Sequence, residues 1–465
     1  MSDLCFQPAF QLRELLLNKQ LSARELLAAF QQQIERCNPT INALVTLDFE
    51  QAGHMAQRAD DHLAKTGEAL GPLHGLPLAV KDVFHVAGMR TTFANQHFCD
   101  YISVDDDLLI QREKAAGAVI VGKSNTPDCA AGGVTTNELF GLTHNPWNFR
   151  KTTSGSGGGG AAAIACGLVS FADGSDVGGS ARSPAGWTNC VGFRPSSGRL
   201  PGTPGSIADG SISTAGVFTR SVLDIPLFMQ AVDGPSLHSA VTYPEGHAGF
   251  SVEAARNVPS GKIAWIKDFA GIRWGDDVSQ RMEEVRCVME GLGLVVDDVT
   301  LPLGDGFRQL YTDVNACAVT AGLPERVLKS CLQGEPTKPA IRAMVEHYLS
   351  LSPLDLQQIQ RDVARLKVRM QLLMEEYPLL VFPTNADYAF DVDDARAEQE
   401  CDWSTLYLSP MLGLPAVSVP AGFTADGMPF GMMVTGRAGE DMTVLQLAAG
   451  FERETKYYQR LPDYH

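Results

Sequence analysis

The sequence predicts an α/β protein. Three observations carry that reading. Short apolar runs free of charge recur at 76–80 and 118–122. A helical stretch over 105–116 lies between them. The chain has 465 residues, 45% hydrophobic and 20% charged, which suits a large buried core. The first 65 residues read as helices. Ser22 and Glu25 form a capping box, and Leu26, Leu27, Phe30 and Ile34 continue one apolar face. Asn38-Pro39 is expected to end that helix, and a second follows over about 49–66. From Gly71 the pattern changes to buried strands. The first ends at Lys81-Asp82, and others are expected at 262–266, 294–296, 379–382 and 416–419. A long helical run over 353–377 is broken at Pro378. The core pattern is densest over 71–235, thins over about 240–400 and returns over 403–455. The thin part is expected to be a variable, substrate-facing region of a single domain spanning 1–465.

Charge and cysteine usage narrow the function classes. Lys+Arg 37 against Asp+Glu 54 gives −17, which disfavours direct nucleic-acid binding and anionic membranes. Asp3 and Glu14 interrupt what a signal peptide would need, and no apolar segment is long enough for a membrane span. Ten scattered cysteines without a CxxC fit reduced thiols in the cytoplasm. Widely spaced histidines without H-E-x-x-H give no metal site.

Two glycine-serine segments carry the chemistry. Thr152-Thr153-Ser154-Gly155-Ser156-Gly157-Gly158-Gly159-Gly160 runs into the helix former Ala161–Ala165. Packed glycines before a helix let backbone N–H groups approach a bound group. A Walker loop fails for want of the Lys-Ser/Thr, and a dinucleotide fingerprint lacks its preceding strand. The second segment is Gly174-Ser175-Asp176-Val177-Gly178-Gly179-Ser180-Ala181-Arg182-Ser183-Pro184. Ser180 follows two glycines, so its hydroxyl can be exposed beside converging N–H groups. Those are the parts of a nucleophile with an oxyanion hole. A plain surface loop is the bland alternative for either segment. The base is open between His85, His97 or His144 and Lys81, since no G-x-S-x-G elbow is present. Lys81 ends an apolar run, so desolvation favours its neutral form, and a salt bridge is the competing role.

The pattern resembles the amidase signature family of serine amidohydrolases. The matching pieces are Gly75–Asp82, Gly122–Pro127, the loop around Ser156, Gly174–Pro184 and Gly413–Gly422. The resemblance implies a large mixed, twisted β-sheet covered by helices on both faces. It implies a catalytic triad of Ser180 as nucleophile, Ser156 as bridging serine after a cis peptide bond, and Lys81 as terminal base. It places the oxyanion hole at the N–H groups of Val177, Gly178, Gly179 and Ser180, with Ser175, Asp176 and Arg182 supporting the loop. No metal and no organic cofactor enter the scheme. The implied reaction is hydrolysis of a small-molecule amide through an acyl-Ser180 intermediate, and a homodimer is allowed for. Two alternatives stand beside it: the amidase subunit of a tRNA-dependent amidotransferase, and an inactive binding or scaffold protein. Ser154, Gly157 and Asp173 depart from the usual pattern, Asp173 standing where an apolar residue is common. Trp403, Tyr407, Phe149 and Phe140 are candidates to line the acyl pocket, with core packing as the bland role.

Overall fold

A computed structural model describes residues 2–204, 206, 212–239, 241–243, 249–335, 337–394 and 397–463. Its strands are β1 (Leu44–Leu47), β2 (Pro77–Lys81), β3 (Val119–Ser124), β4 (Phe171–Asp176), β5 (Val191–Arg194), β6 (Thr214–Thr219), β7 (Lys262–Trp265), β8 (Asp268–Phe269), β9 (Ile272–Arg273), β10 (Val295–Asp298), β11 (Leu379–Pro383), β12 (Ala416–Phe423) and β13 (Pro429–Gly436). Eleven of them form one sheet in the order β1-β3-β2-β4-β6-β5-β12-β13-β11-β7-β10, and β8 and β9 pair separately. The sheet is mixed. β2 runs parallel to β3 and β4, while β4 and β6 are antiparallel. Helices cover both faces, as the fold class predicted.

The apolar runs become strands because the sheet buries both of their sides. Every residue of β2 and β3 is buried, so neither needs a polar face. The stretch over 240–400 reads thin in sequence, yet it supplies β7, β10 and β11 to the same sheet.

The first long helix differs from expectation. It spans Ala23–Ile41 and runs through Pro39. Its start is as read, with Ser22 and Glu25 capping each other. Its end is set by Asn42 in the left-handed conformation, while the Asn38 side chain accepts from the N–H groups of Ala43 and Leu44. Pro39 lies within the final turn, so the missing N–H removes one bond without ending the helix. The second helix spans Phe49–Thr66, between Asp48 and a left-handed Gly67.

Candidate active site

Two parallel neighbours, β2 and β4, deliver the central groups at their carboxyl ends. Lys81 is the last residue of β2, and Ser175 is the penultimate residue of β4. Both side chains are buried. Lys81 Nζ donates to Ser175 Oγ at 2.9 Å and lies 2.7 Å from Ser156 Oγ. Burial pushes the pKa of the Lys81 ammonium down to about 7, against the opposing carboxylates of Asp173 and Asp176. A neutral lysine is therefore available near neutral pH, and no salt bridge to Lys81 is formed among the described residues.

The Gly155–Ser156 peptide is cis, and the helix Gly158–Ala165 follows. That helix is buried on every side, which explains its run of glycine and alanine. A Cβ on Gly159 would meet the Asn125 carbonyl at 2.5 Å, and one on Gly157 the Ser180 carbonyl at 2.5 Å. Thr126 Oγ1 donates to the Ser156 carbonyl at 3.0 Å.

Ser180 lies in the loop between β4 and the helix Arg182–Thr188. The Gly157 N–H donates to its carbonyl at 3.1 Å, so the two serine loops are tied together. Ser180, Ser156 and Ser175 all face one cavity. Ser180 Oγ makes no hydrogen bond to Ser156 among the described residues.

Asp176 organises the loop. Its carboxylate accepts from Arg182 Nε at 3.0 Å, Arg182 Nη2 at 2.9 Å, the Gly179 N–H at 3.0 Å and the Ala181 N–H at 3.2 Å. Burial alone would raise this carboxyl, but Arg182 and then Arg194 hold it well below the usual carboxylate range. Arg194, which sequence reasoning missed, ends β5. It also donates to the Asp176 carbonyl. The Gly179 N–H is thus engaged by Asp176 and is turned from the expected oxyanion quartet. The N–H groups of Val177, Gly178 and Ser180 make no hydrogen bond among the described residues. Gly179 has φ +97°, and a Cβ there would meet Leu406 at 2.6 Å, so glycine is required on both counts.

The cavity has a volume of about 590 Å³. Trp403 and Tyr407 line it, as expected, whereas Phe140 and Phe149 do not. Phe140 lies beneath Arg90, and Phe149 is partly exposed beside His144. Further walls come from Phe93, Phe98, Tyr101 and Tyr311. Tyr311 stacks on Tyr407 at 3.5 Å. None of the described lining residues is Asp, Glu, Lys or Arg. Lys338 Nζ donates to the Ala131 carbonyl, and the Glu398 carboxylate accepts from the Gly133 N–H. Of the three histidines, only His85 lines the cavity. His97 faces Ser330, and His144 faces the Phe149 carbonyl. No described helix is long and apolar enough to cross a membrane.

A desolvated lysine touching a buried serine, beside a second serine in a glycine loop, within an α/β sheet, defines an amidase of the serine-hydrolase type. The chain belongs to the amidase family, whose profile matches residues 25–445. It is 31% identical to a glutamyl-tRNA(Gln) amidotransferase subunit from Moorella thermoacetica, covering 99% of each chain. It is 30% identical to an acylamidase of Rhodococcus erythropolis, covering 95% of this chain and 94% of that one. The structure of 6-aminohexanoate cyclic dimer hydrolase with its substrate superposes with a TM-score of 0.86 at 25% identity, covering 99% of each chain.

Proposed function

We propose that this chain hydrolyses a neutral amide with an apolar or aromatic acyl group through an acyl-Ser180 intermediate. The observation that carries the reading is the contact between desolvated Lys81 and Ser156 at the end of an aromatic cavity whose described lining carries no Asp, Glu, Lys or Arg. Neutral Lys81 draws the proton from Ser156, and Ser156 draws one from Ser180 as Ser180 Oγ rotates toward it. Ser180 Oγ then bonds to the carbonyl carbon. The N–H groups of Val177, Gly178 and Ser180 take the developing oxyanion. Ser156 returns the proton to the departing nitrogen, ammonia or an amine leaves, and water cleaves the ester by the reverse relay. Ser175 orients the lysine, and Asp176 with Arg182 fixes the loop.

A second reading has its own support. Glutamyl-tRNA(Gln) amidotransferase recurs among the relatives of this chain. Under that reading, glutamine would be the amide and partner proteins would receive the ammonia. Amidotransferase subunits at 28–32% identity outnumber the acylamidase at 30% among the most similar relatives, so the comparisons support this second reading more than the first. The cavity favours the first, because glutamine brings an ammonium and a carboxylate, and the described lining offers a countercharge to neither.

The test compares a neutral acyl p-nitroanilide with glutamine, reading nitroaniline and ammonia release. The expected kcat/KM favours the anilide by at least about 100-fold, the scale of leaving a charge without a partner. Efficient glutamine cleavage, above all if it needs added partner proteins, would establish the second reading instead. Ser180→Ala should abolish turnover with the fold intact. Lys81→Ala should lose most of it and remove the rise in rate with pH near 7.

A further inference from the structure

Asp173 stands one residue beyond the point where the β2–β4 ladder ends. That parallel ladder pairs Leu78 with Phe171 and Ala79 with Ala172. Beyond it, the side chain of Asp173 takes over from the strand backbone, and its Oδ1 accepts the Lys81 N–H at 2.6 Å. The carboxyl is fully buried, and its Oδ2 has no hydrogen-bond partner among the described residues. A polar residue so placed among buried strands is costly unless it does something for its neighbours.

We infer that Asp173 is a positioning residue for Lys81: its carboxylate fixes the lysine's main chain, and its charge sets the pH at which that lysine becomes a base. The inference rests on the reading of Lys81 as the terminal base.

The groups around Asp173 are these. Lys81 faces it from β2 and Lys123 from β3. Asp107 approaches from the turn before the helix Leu108–Ala115, and Glu113 from that helix. Lys123 Nζ is occupied by Thr91 Oγ1 at 2.8 Å and by the Phe84 carbonyl. Asp107 accepts from the His85 N–H at 2.7 Å. Glu113 is buried, and neither of its oxygens has a partner among the described residues. Burial and then the charge of Asp173 keep its carboxyl well above the usual range. Asp176, on the same strand, is neutralised by two arginines. Asp173 is thus the carboxylate first in effect on Lys81, favouring its ammonium form. Burial pushes the pKa of Asp173 itself up to about 7, so it changes charge in the same range.

The test reads the rate at which a tagged fluorophosphonate labels Ser180 between pH 5.5 and 9.5. In that reaction Ser180 Oγ bonds to phosphorus and fluoride leaves with the serine proton. The wild-type rate should rise with pH as Lys81 loses its proton. Asp173→Asn keeps an acceptor for the Lys81 N–H but removes the charge. It should move the midpoint down by about one pH unit. Asp173→Leu should move the midpoint likewise and lower the high-pH plateau about tenfold below that of D173N, since the N–H loses its acceptor. A purely structural Asp173 would change the plateau and leave the midpoint alone, so a wild-type midpoint in folded D173N overturns the inference. If D173N does not fold, Asp173→Thr is held to the same criterion. Labelling of S180A or K81A at the wild-type rate would instead sink the underlying reading, whatever D173N does.

Discussion

At the scale of single residues, Asp176 is where charge and geometry meet. Two arginines and two backbone N–H groups converge on one buried carboxylate. Removing its charge would leave Arg182 and Arg194 buried without a counterion. Asp176→Asn is therefore expected to lose about 3–5 kcal/mol of stability in urea unfolding, along with activity. Asp176 and Arg182 were expected as supports of the loop because the resemblance implied it. Arg194 was not, because it belongs to a short strand, Val191–Arg194, whose sequence carries no sign of a distant anion. The same holds for the cavity wall. Trp403 and Tyr407 lie beside a recognisable glycine segment, but Tyr311 sits in the helix Phe307–Gly322, where an aromatic residue looks like ordinary core.

At the scale of elements, β4 shows why pattern alone fell short. Phe171–Asp176, between β2 and β6, carries two aspartates and a serine, so it lacks the charge-free apolar run that marks the expected strands. Its polar side chains are tolerated because each finds a partner: Asp173 the Lys81 N–H, Ser175 the Lys81 side-chain nitrogen, Asp176 its arginines. A second buried carboxyl ties other elements together. Glu452, on the helix Asp441–Thr455, accepts from Ser221 Oγ at 2.5 Å and the Val222 N–H at 3.0 Å. Burial, with Asp224 adding to it, pushes the pKa of this carboxyl up to about 8. The folded chain then holds a proton that the unfolded chain releases above its ordinary value of 4.5. Its contribution to stability is full below about 4.5 and is lost as pH rises through about 8. Glu452→Gln has no such proton to lose, so its melting temperature should fall less than that of the wild type between pH 5 and 9. Parallel melting curves for the two proteins would remove this role from Glu452.

At the scale of the whole molecule, the fold class and the two glycine-serine loops were legible in the residues, whereas the triad came from the resemblance, since the residues alone left the base open between Lys81 and three histidines. Apolar runs mark strands buried on both sides, and the glycine-rich loops mark where backbone must approach a reacting group. The 240–400 stretch was less legible because its work is divided. Part of it extends the sheet through β7, β10 and β11, and part of it presents Tyr311 and its neighbours to the cavity. The strands were expected at 262–266, 294–296 and 379–382, whereas the cavity-facing residues leave no compact motif. The cavity walls set the substrate prediction. Tyr407→Asp, which puts a charge beside the stacked Tyr311, should weaken turnover of an apolar acyl anilide at least about tenfold, chiefly through KM. An unchanged KM would place the acyl group elsewhere.

The central claim is that Ser180 carries the acyl group and Lys81 enables its transfer through Ser156. Intact-protein mass spectrometry after a short exposure to an activated acyl ester, followed by peptide mapping, tests it most directly. The account predicts one adduct, on Ser180, forming in the wild type and at least about 100-fold more slowly in Lys81→Ala and Ser156→Ala. An adduct mapped to another side chain, or wild-type acylation rates in those two variants, would contradict it.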